Sequence, residues 1–493
     1  MMKRSPVQAA ALSLGAAAVL FTVVSLAVTS AAAQVPDRTR PPKVGPPPSL
    51  KLPAIKKLKL SNGLPVVYME KAGVPVAQLL VVIRAGQVNE SPAKTGLSSM
   101  TAASLTDGAG PRDALQLSDA IDHLGARLGA GSGPHTTSIS LYTPVARLDS
   151  ALALLADVTL RPTFPAKELD RKRKERLTTL LQWRDQPSPL ASIAFSRAVY
   201  PIHPYGASSI GTEASLNGLT ADDLRVFHGT YFRPNNATVI VVGDVREKEI
   251  MARLESAFGT WKGGEIPVPT LPAVTQVAGR EVTIVDRPGS AQTEIRIGCV
   301  GAQRLTDDYY ALVVMNTMLG GSFTSRLNLN LREQHGYAYV ASSSFSFRPL
   351  PGPFTAAAAV QTEVTDSALV EFMKELRGIR EPMSGDDVEK TKNFIALGYP
   401  GDFQSVSQIA GQLQELVVYG LPEYYFNAYT TKITAVTPQD VQRVAQKYLD
   451  PDKMAVVLVG DREKIQQGVA ALNLGPIKVM TVGDVLGPAP VIK

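Results

Sequence analysis

Apolar positions along this chain switch between the two-residue and the 3.6-residue period, and the switch points mark its elements. Residues 58–60 and 64–68 flank Ser61-Asn62-Gly63, and Asn-Gly between apolar runs signals a hairpin. Residues 76–84 predict a buried strand, followed by a polar turn and a helix from about Thr95. Leu117, Ile121 and Leu124 stand at helical spacing within 113–124. Residues 125–133, GARLGAGSG, are glycine-rich, and 136–142 read as extended. Helices are predicted over 148–158, 165–183 and 191–199, with a turn at His203-Pro204-Tyr205-Gly206. Thr220 caps a helix over 221–231, and a β-branched strand over 237–242 runs into Gly243-Asp244, with another helix after it.

The same order recurs beyond a proline-bearing linker at 267–272. Residues 220–244 read TADDLRVFHGTYFRPNNATVIVVGD, and residues 437–461 read TPQDVQRVAQKYLDPDKMAVVLVGD. Cap, helix, aromatic (Tyr231, Tyr448), turn, strand and Val-Gly-Asp align without a gap, which is an internal repeat. The chain therefore divides into homologous halves at 54–265 and 281–480, a linker at 266–280 and an unassigned tail at 481–493. Each half mixes helices with hairpin-linked, antiparallel strands, which predicts an α+β fold.

Composition changes this picture at the N-terminus. Lys3 and Arg4 precede the uncharged apolar run 9–28, and Ala31-Ala32-Ala33 follows it. Residues 1–33 thus read as a secretory signal peptide, and an uncleaved anchor is the other reading of so long a run. Seven prolines make 34–53 an extended spacer. Removing Lys3 and Arg4 takes the net charge from +6 to +4, without strong clustering, so nothing points to nucleic acid. The basic run 171–176 lies on a predicted helix and reads as a solvated face. Cys299 is the only cysteine and sits in an apolar strand, which excludes an internal disulfide and favours a buried, inert thiol.

Residues 307–339 contain Leu319-Gly320-Gly321, Ser325-Arg326-Leu327, Leu331-Arg332-Glu333, Gly336 and Tyr339 in succession. These blocks, HPYG at 203–206 and the strand-turn-helix at 80–105 resemble the pitrilysin/insulinase/mitochondrial processing peptidase family. That family carries the inverted zinc motif HxxEH, two histidines one turn apart with a glutamate that activates water. Here the helix opens with Gly96-Leu97, but the motif positions are Ser99, Met100, Thr101, Ala102 and Ala103. Ser99 and Ala103 replace the histidines, and Ala102 replaces the base. The family's third ligand, a downstream glutamate, falls at Thr178 or Thr179. The resemblance implies two halves forming a clamshell around a peptide, with no metal bound by this chain.

It also implies that Arg332 and Tyr339 are catalytic. In the family an arginine and a tyrosine of the C-terminal half reach the zinc site; Tyr337 is a rival for the tyrosine. A phenol can stabilise the developing oxyanion and a guanidinium can hold substrate carbonyls. Gly129, Ala130, Gly131 and Ser132 match the family's substrate-pairing edge strand, the alternative being a flexible loop. The five histidines show no paired spacing, and no Gly-x-Ser-x-Gly elbow occurs. The expected function is a metal-less subunit of an exported, periplasmic heteromeric peptidase. Its partner would be an HxxEH-bearing sister subunit that holds the zinc, and its substrate a peptide. A non-catalytic scaffold or peptide-binding protein is the alternative, and a lone peptidase with an unconventional site is a third.

Overall fold

Duplicated strand patterns become two sheets, each buried on both faces at its central strands. The computed structural model describes residue 45 and residues 50–491. The expected signal peptide and most of the proline spacer therefore lie outside the described residues. Residues 50–491 fall in one unit, which contains both halves.

In the first half, β1 (Lys56–Lys59) and β2 (Pro65–Glu70) form the hairpin around Asn62-Gly63. β3 (Val76–Ile83), α1 (Leu97–Ser104), α2 (Ala114–His123), β4 (Arg127–Ser132) and β5 (Thr137–Pro144) follow. Then come α3 (Leu148–Leu160), α4 (Ala166–Trp183), α5 (Pro187–Val199), α6 (Ala221–Tyr231), β6 (Ala237–Gly243) and α7 (Glu247–Phe258). The sheet order is β1-β2-β6-β3-β5-β4. Residues 261–280, where the linker was expected, carry no helix or strand.

The second half opens with β7 (Glu281–Asp286), β8 (Gln292–Val300), α8 (Tyr309–Asn316), β9 (Ala338–Phe345) and β10 (Pro353–Gln361). α9 (Thr365–Gly378), α10 (Gly385–Gly398), α11 (Val406–Tyr419), α12 (Tyr425–Thr434) and α13 (Pro438–Tyr448) lead to β11 (Ala455–Gly460), α14 (Arg462–Ala471) and β12 (Ile477–Thr481). The order here is β9-β10-β8-β11-β7-β12. Five strands correspond in order and sense: β2-β6-β3-β5-β4 and β7-β11-β8-β10-β9. The fold is α+β, as expected, but the sheets are mixed where hairpins alone predicted antiparallel pairing. β2 pairs with β6, and β7 with both β11 and β12, in parallel. Those partners arrive after helical crossings, which permit a parallel return. The repeat's caps are duplicated too, because Thr220 and Thr437 each accept the backbone N–H three residues on.

Side chains alternate across each strand, so one sheet serves two cores. Val66, Tyr68, Leu79, Val81, Val239 and Val241 enter one core, and Val67, Met69, Leu80, Val82, Ile240 and Val242 the other. The second sheet divides likewise, with Val457 and Val459 on one side and Val456 and Leu458 on the other. Equivalent helices are exchanged between halves. α5 lies on β8 and β11 of the second sheet, and α11 lies on β3 and β6 of the first. Polar contacts fasten the exchange: Gln414 to Ser138 at 3.0 Å, Ser407 to Gln78 at 2.9 Å and Arg296 to Ser188 at 3.0 Å. The tail folds back as well. Residues Val482–Leu486 are helical, Val485 and Leu486 are buried, and Arg197 of α5 donates to the Val485 carbonyl at 2.6 Å. Cys299 is buried, and burial pushes its thiol up to about 12.

Gly298 of β8 admits the exchanged helix. A β-carbon there would stand 2.9 Å from the Phe195 ring of α5 and 2.0 Å from the Phe354 carbonyl oxygen. Gly298→Ala is expected to destabilise the chain by about 1–3 kcal/mol, measured from urea unfolding. Gly129→Ala, where no atom lies within 4 Å of an added β-carbon, is expected not to destabilise it.

Candidate functional site

Helix α1 occupies the place of the zinc-motif helix, and its first turn is organised by a carboxylate and a guanidinium. Gly96 caps it at φ 90°, and a β-carbon there would meet Gly211 and the Ile210 carbonyl at 2.9 Å. The Glu90 carboxylate accepts the N–H groups of Gly96 (2.8 Å) and Ser98 (2.7 Å), satisfying donors at the helix start. Burial raises its pKa, while the Ser98 and Gly96 hydrogen bonds and nearby Arg176 pull it back.

Arg176 reaches this turn from α4. It donates to Ser99 Oγ at 2.9 Å, to the Ile210 carbonyl at 3.2 Å and to the Gly96 carbonyl at 3.3 Å. Ser99 in turn donates to the Ser209 carbonyl. The basic run 171–176 is therefore not wholly a solvated face. Arg171 remains half-exposed among Glu168, Glu175 and Asp107, whereas Arg176 turns inward. Burial lowers Arg176 to about 10, with Glu90 opposing, so it stays charged at neutral pH.

This donor set does not fit zinc. Ser99 is engaged by a cation, and Ala102 and Ala103 offer no lone pair. Thr178 and Thr179 give their hydroxyls to the helix carbonyls of Lys174 and Glu175. Among the described residues, no three His, Cys, Asp or Glu side chains are grouped to hold a metal ion.

Residues Gly129, Ala130, Gly131 and Ser132 lie in β4, at the edge of the first sheet, in register with Ser140, Ile139, Ser138 and Thr137 of β5. The segment is a strand, so the loop alternative for it falls. No hydrogen bond from another described residue caps its outer backbone edge. Beside it, a cavity of about 380 Å³ is lined by Gly129, Gly131, Ser138, Ser140 and Gln414.

In the second half the corresponding edge strand is β9. Two π-helical turns, Thr317–Gly321 and Leu329–Gln334, pack beside it. Gly320 is needed there, because a β-carbon would stand 2.2 Å from the Ser343 nitrogen. Asn316 donates to the Ser343 carbonyl (3.2 Å), and Asn328 accepts the Ala341 N–H (3.1 Å). Glu375 holds Arg326 (2.7 Å) and Asn330 (2.8 Å). A bulge between Ala338 and Ala341 turns Tyr339 out of register, and Tyr339 is 81% exposed. The Arg332 guanidinium lies 5.2 Å from the Tyr339 ring centroid and 4.5 Å from that of Phe323, with Glu333 at 3.3 Å. Tyr337 instead stacks on His335 at 5.0 Å. The structure thus brings Arg332 and Tyr339 together, and all these partners belong to the second half.

A further cluster escaped the sequence reading. Tyr205 of the HPYG turn lies under the Arg348 guanidinium at 4.3 Å, hydrogen-bonds His135, and gives its N–H to His203 Nδ1 at 3.1 Å. His203 Nε2 is buried without a partner. Burial first, then Arg348, lowers both histidines, His135 to about 4. HPYG was legible as a turn; nothing local marked Arg348.

Residues 65–213 match the family described as Insulinase (Peptidase family M16), and residues 218–395 match the Peptidase M16 inactive domain. The chain belongs to the M16 peptidase family. An uncharacterized zinc protease of Streptomyces coelicolor is 24% identical over 420 residues, 80% of this chain and 87% of the relative. One from Mycobacterium leprae is 25% identical over 340 residues, 69% and 76% of the two chains. The crystal structure of a peptidase M16 inactive domain from Pseudomonas fluorescens has a TM-score of 0.78 at 25% identity, covering 82% of this chain and 98% of that one. A Helicobacter pylori protease has a TM-score of 0.76 at 22% identity, covering 83% and 100%. This M16 chain keeps the family's helix as a fold element while a guanidinium fastens its motif face.

Arg176→Met removes the donor to Ser99 and to the Gly96 and Ile210 carbonyls, and is expected to destabilise the fold by about 1–3 kcal/mol in urea unfolding, with Arg176→Lys losing less. His135 has a folded pKa near 4 against an ordinary value of 6.5. The unfolded chain takes the proton first, so stability is full above about pH 6.5 and falls as pH drops toward 4. Melting temperature against pH is expected to be shallower over that window in His135→Gln.

Proposed function

We propose that this chain is the metal-less subunit of an exported heteromeric M16 zinc peptidase. It completes the peptide cleft and presents Arg332 and Tyr339 to the zinc site of an HxxEH-bearing partner. The observation that carries this reading is a mismatch within the chain. An exposed tyrosine with a partly buried arginine beside it is held by two π-turns and a bulge, yet the chain's own α1 has no metal donors for them to face. In the shared cleft the Tyr339 hydroxyl donates to the oxygen that gains charge as the peptide carbonyl is attacked, and Arg332 holds a substrate carbonyl. β4 offers its open edge to the peptide backbone. Export rests on the pattern of residues 1–33, and a periplasmic site follows from it. Among the described residues no helix is long and apolar enough to cross a membrane.

The same exposed patch of Phe323, Tyr339 and Val340 also suits a scaffold contact, which is the second reading. Zinc content and peptide cleavage of the chain alone and of its mixture with the sister subunit decide between them. Activity is expected in the mixture only, and Tyr339→Phe is expected to lower kcat about 10²–10³-fold, with a loss also for Arg332→Ala. Unchanged kcat in Tyr339→Phe with intact assembly would leave the scaffold. Stoichiometric zinc and cleavage by the lone chain would refute both.

A further inference from the structure

The Arg348 guanidinium is half-buried, and no carboxylate faces it. It sits on the hairpin between β9 and β10, pinned where its carbonyl accepts the Arg304 N–H at 2.8 Å, and it projects against the first half. The groups around it are the phenols of Tyr200, Tyr205 and Tyr419 and the imidazoles of His135 and His203. No ion pair or side-chain hydrogen bond from Arg348 occurs among the described residues. Arg296, by contrast, is paired with Glu294 at 2.6 Å, and Arg304 donates to the Tyr425 hydroxyl at 2.6 Å. A guanidinium withdrawn from water without a counter-charge is costly unless a ligand supplies one.

The space beside it suits such a ligand. A cavity of about 590 Å³ opens between Arg348, α5 and the 205–209 segment. Its lining includes six serines and this one arginine, and no Asp or Glu. The hydroxyls of Ser196, Ser208 and Ser209 have no described hydrogen-bond partner, so donors remain beside the cation. The cavity begins at Ser132, Gly133 and Pro134, where β4 ends, and Trp183 forms part of its wall.

We infer that this cavity is a carboxylate site, in which Arg348 and the free serine hydroxyls receive an acidic group of a peptide lying along β4. It rests on the reading that β4 pairs with peptide. Guanidinium and carboxylate match in charge and in their two-pronged geometry. A guest strand antiparallel to β4 brings its N-terminal residues to the cavity, and so a side-chain carboxylate. A parallel guest brings its C-terminal carboxylate.

Titration of the full chain, in a Trp261→Phe background so that Trp183 alone fluoresces, tests this. The probes are a neutral, acetylated and amidated Val/Thr octapeptide, the same peptide with Glu at its second position, the same peptide with a free C-terminal carboxylate, and sodium acetate. One of the acidic peptides is expected to bind about tenfold or more tightly than the neutral one. Arg348→Gln is expected to remove that gain and leave neutral-peptide affinity unchanged. Equal affinity of all three peptides for the unaltered chain, with no Arg348-dependent effect of acetate, overturns the site, and this comparison needs no variant to fold. A gain that survives Arg348→Gln also overturns it. Neutral-peptide binding without an acidic gain leaves the β4 reading standing and removes the carboxylate site. Acetate binding that depends on Arg348, with no peptide bound, does the reverse.

Discussion

Reciprocal exchange of α5 and α11 holds this molecule together. Each helix belongs by sequence to one half and packs on the other half's sheet. The central strands of both sheets then have no wet face, which is why β3, β6 and β11 are buried along nearly their whole length and only Gln78 and Thr238 interrupt their apolar side chains. Each buried Val, Ile or Leu contributes about 1.5–3 kcal/mol relative to exposure. Pulling the halves apart would expose a face of both sheets together. The duplicated halves are therefore one block, and the positions of α1, β4 and the Arg332–Tyr339 pair are fixed relative to one another.

Within that block the two halves have diverged in opposite directions. In the first, a guanidinium and a carboxylate bracket the turn that carries metal ligands in the family's zinc motif, and the edge strand stays open. In the second, side-chain amides and a tight glycine contact hold two π-turns against the edge strand, and a bulge pushes a phenol outward. The membership in the M16 family, the motif face closed by Arg176 and the outward phenol are the three features on which the proposed two-subunit cleft rests.

Much of the fold was legible because it depends on local pattern. The Asn-Gly hairpin, the threonine caps and the 220–244 and 437–461 repeat each lie within a short window, and the strand-helix order follows from them. The exchange of α5 and α11 was not legible, since periodicity says which face of a helix is apolar but not whose sheet it meets. Arg176 was misjudged for a related reason. Its position in a charge run is local, but its partners are Ser99 and the carbonyls of Gly96 and Ile210, distant in sequence. Arg348 sits on a hairpin with no periodicity at all. The parallel strand pairs depend on where long crossings land. The resemblance located Arg332 and Tyr339, and the bulge and π-turns supply the reason they lie side by side.

The bulged strand has a consequence for assembly. On β9 the Ala341 amide and the Ser343 carbonyl are already occupied by Asn328 and Asn316. Its counterpart β4 has no such stoppers. Of these two edges created by duplication, one is sealed against strand addition and the other is left as a socket. Gene duplication alone would have produced a molecule able to zip to its own copies through like edges; two asparagines make it polar, with one accepting side and one that only projects side chains.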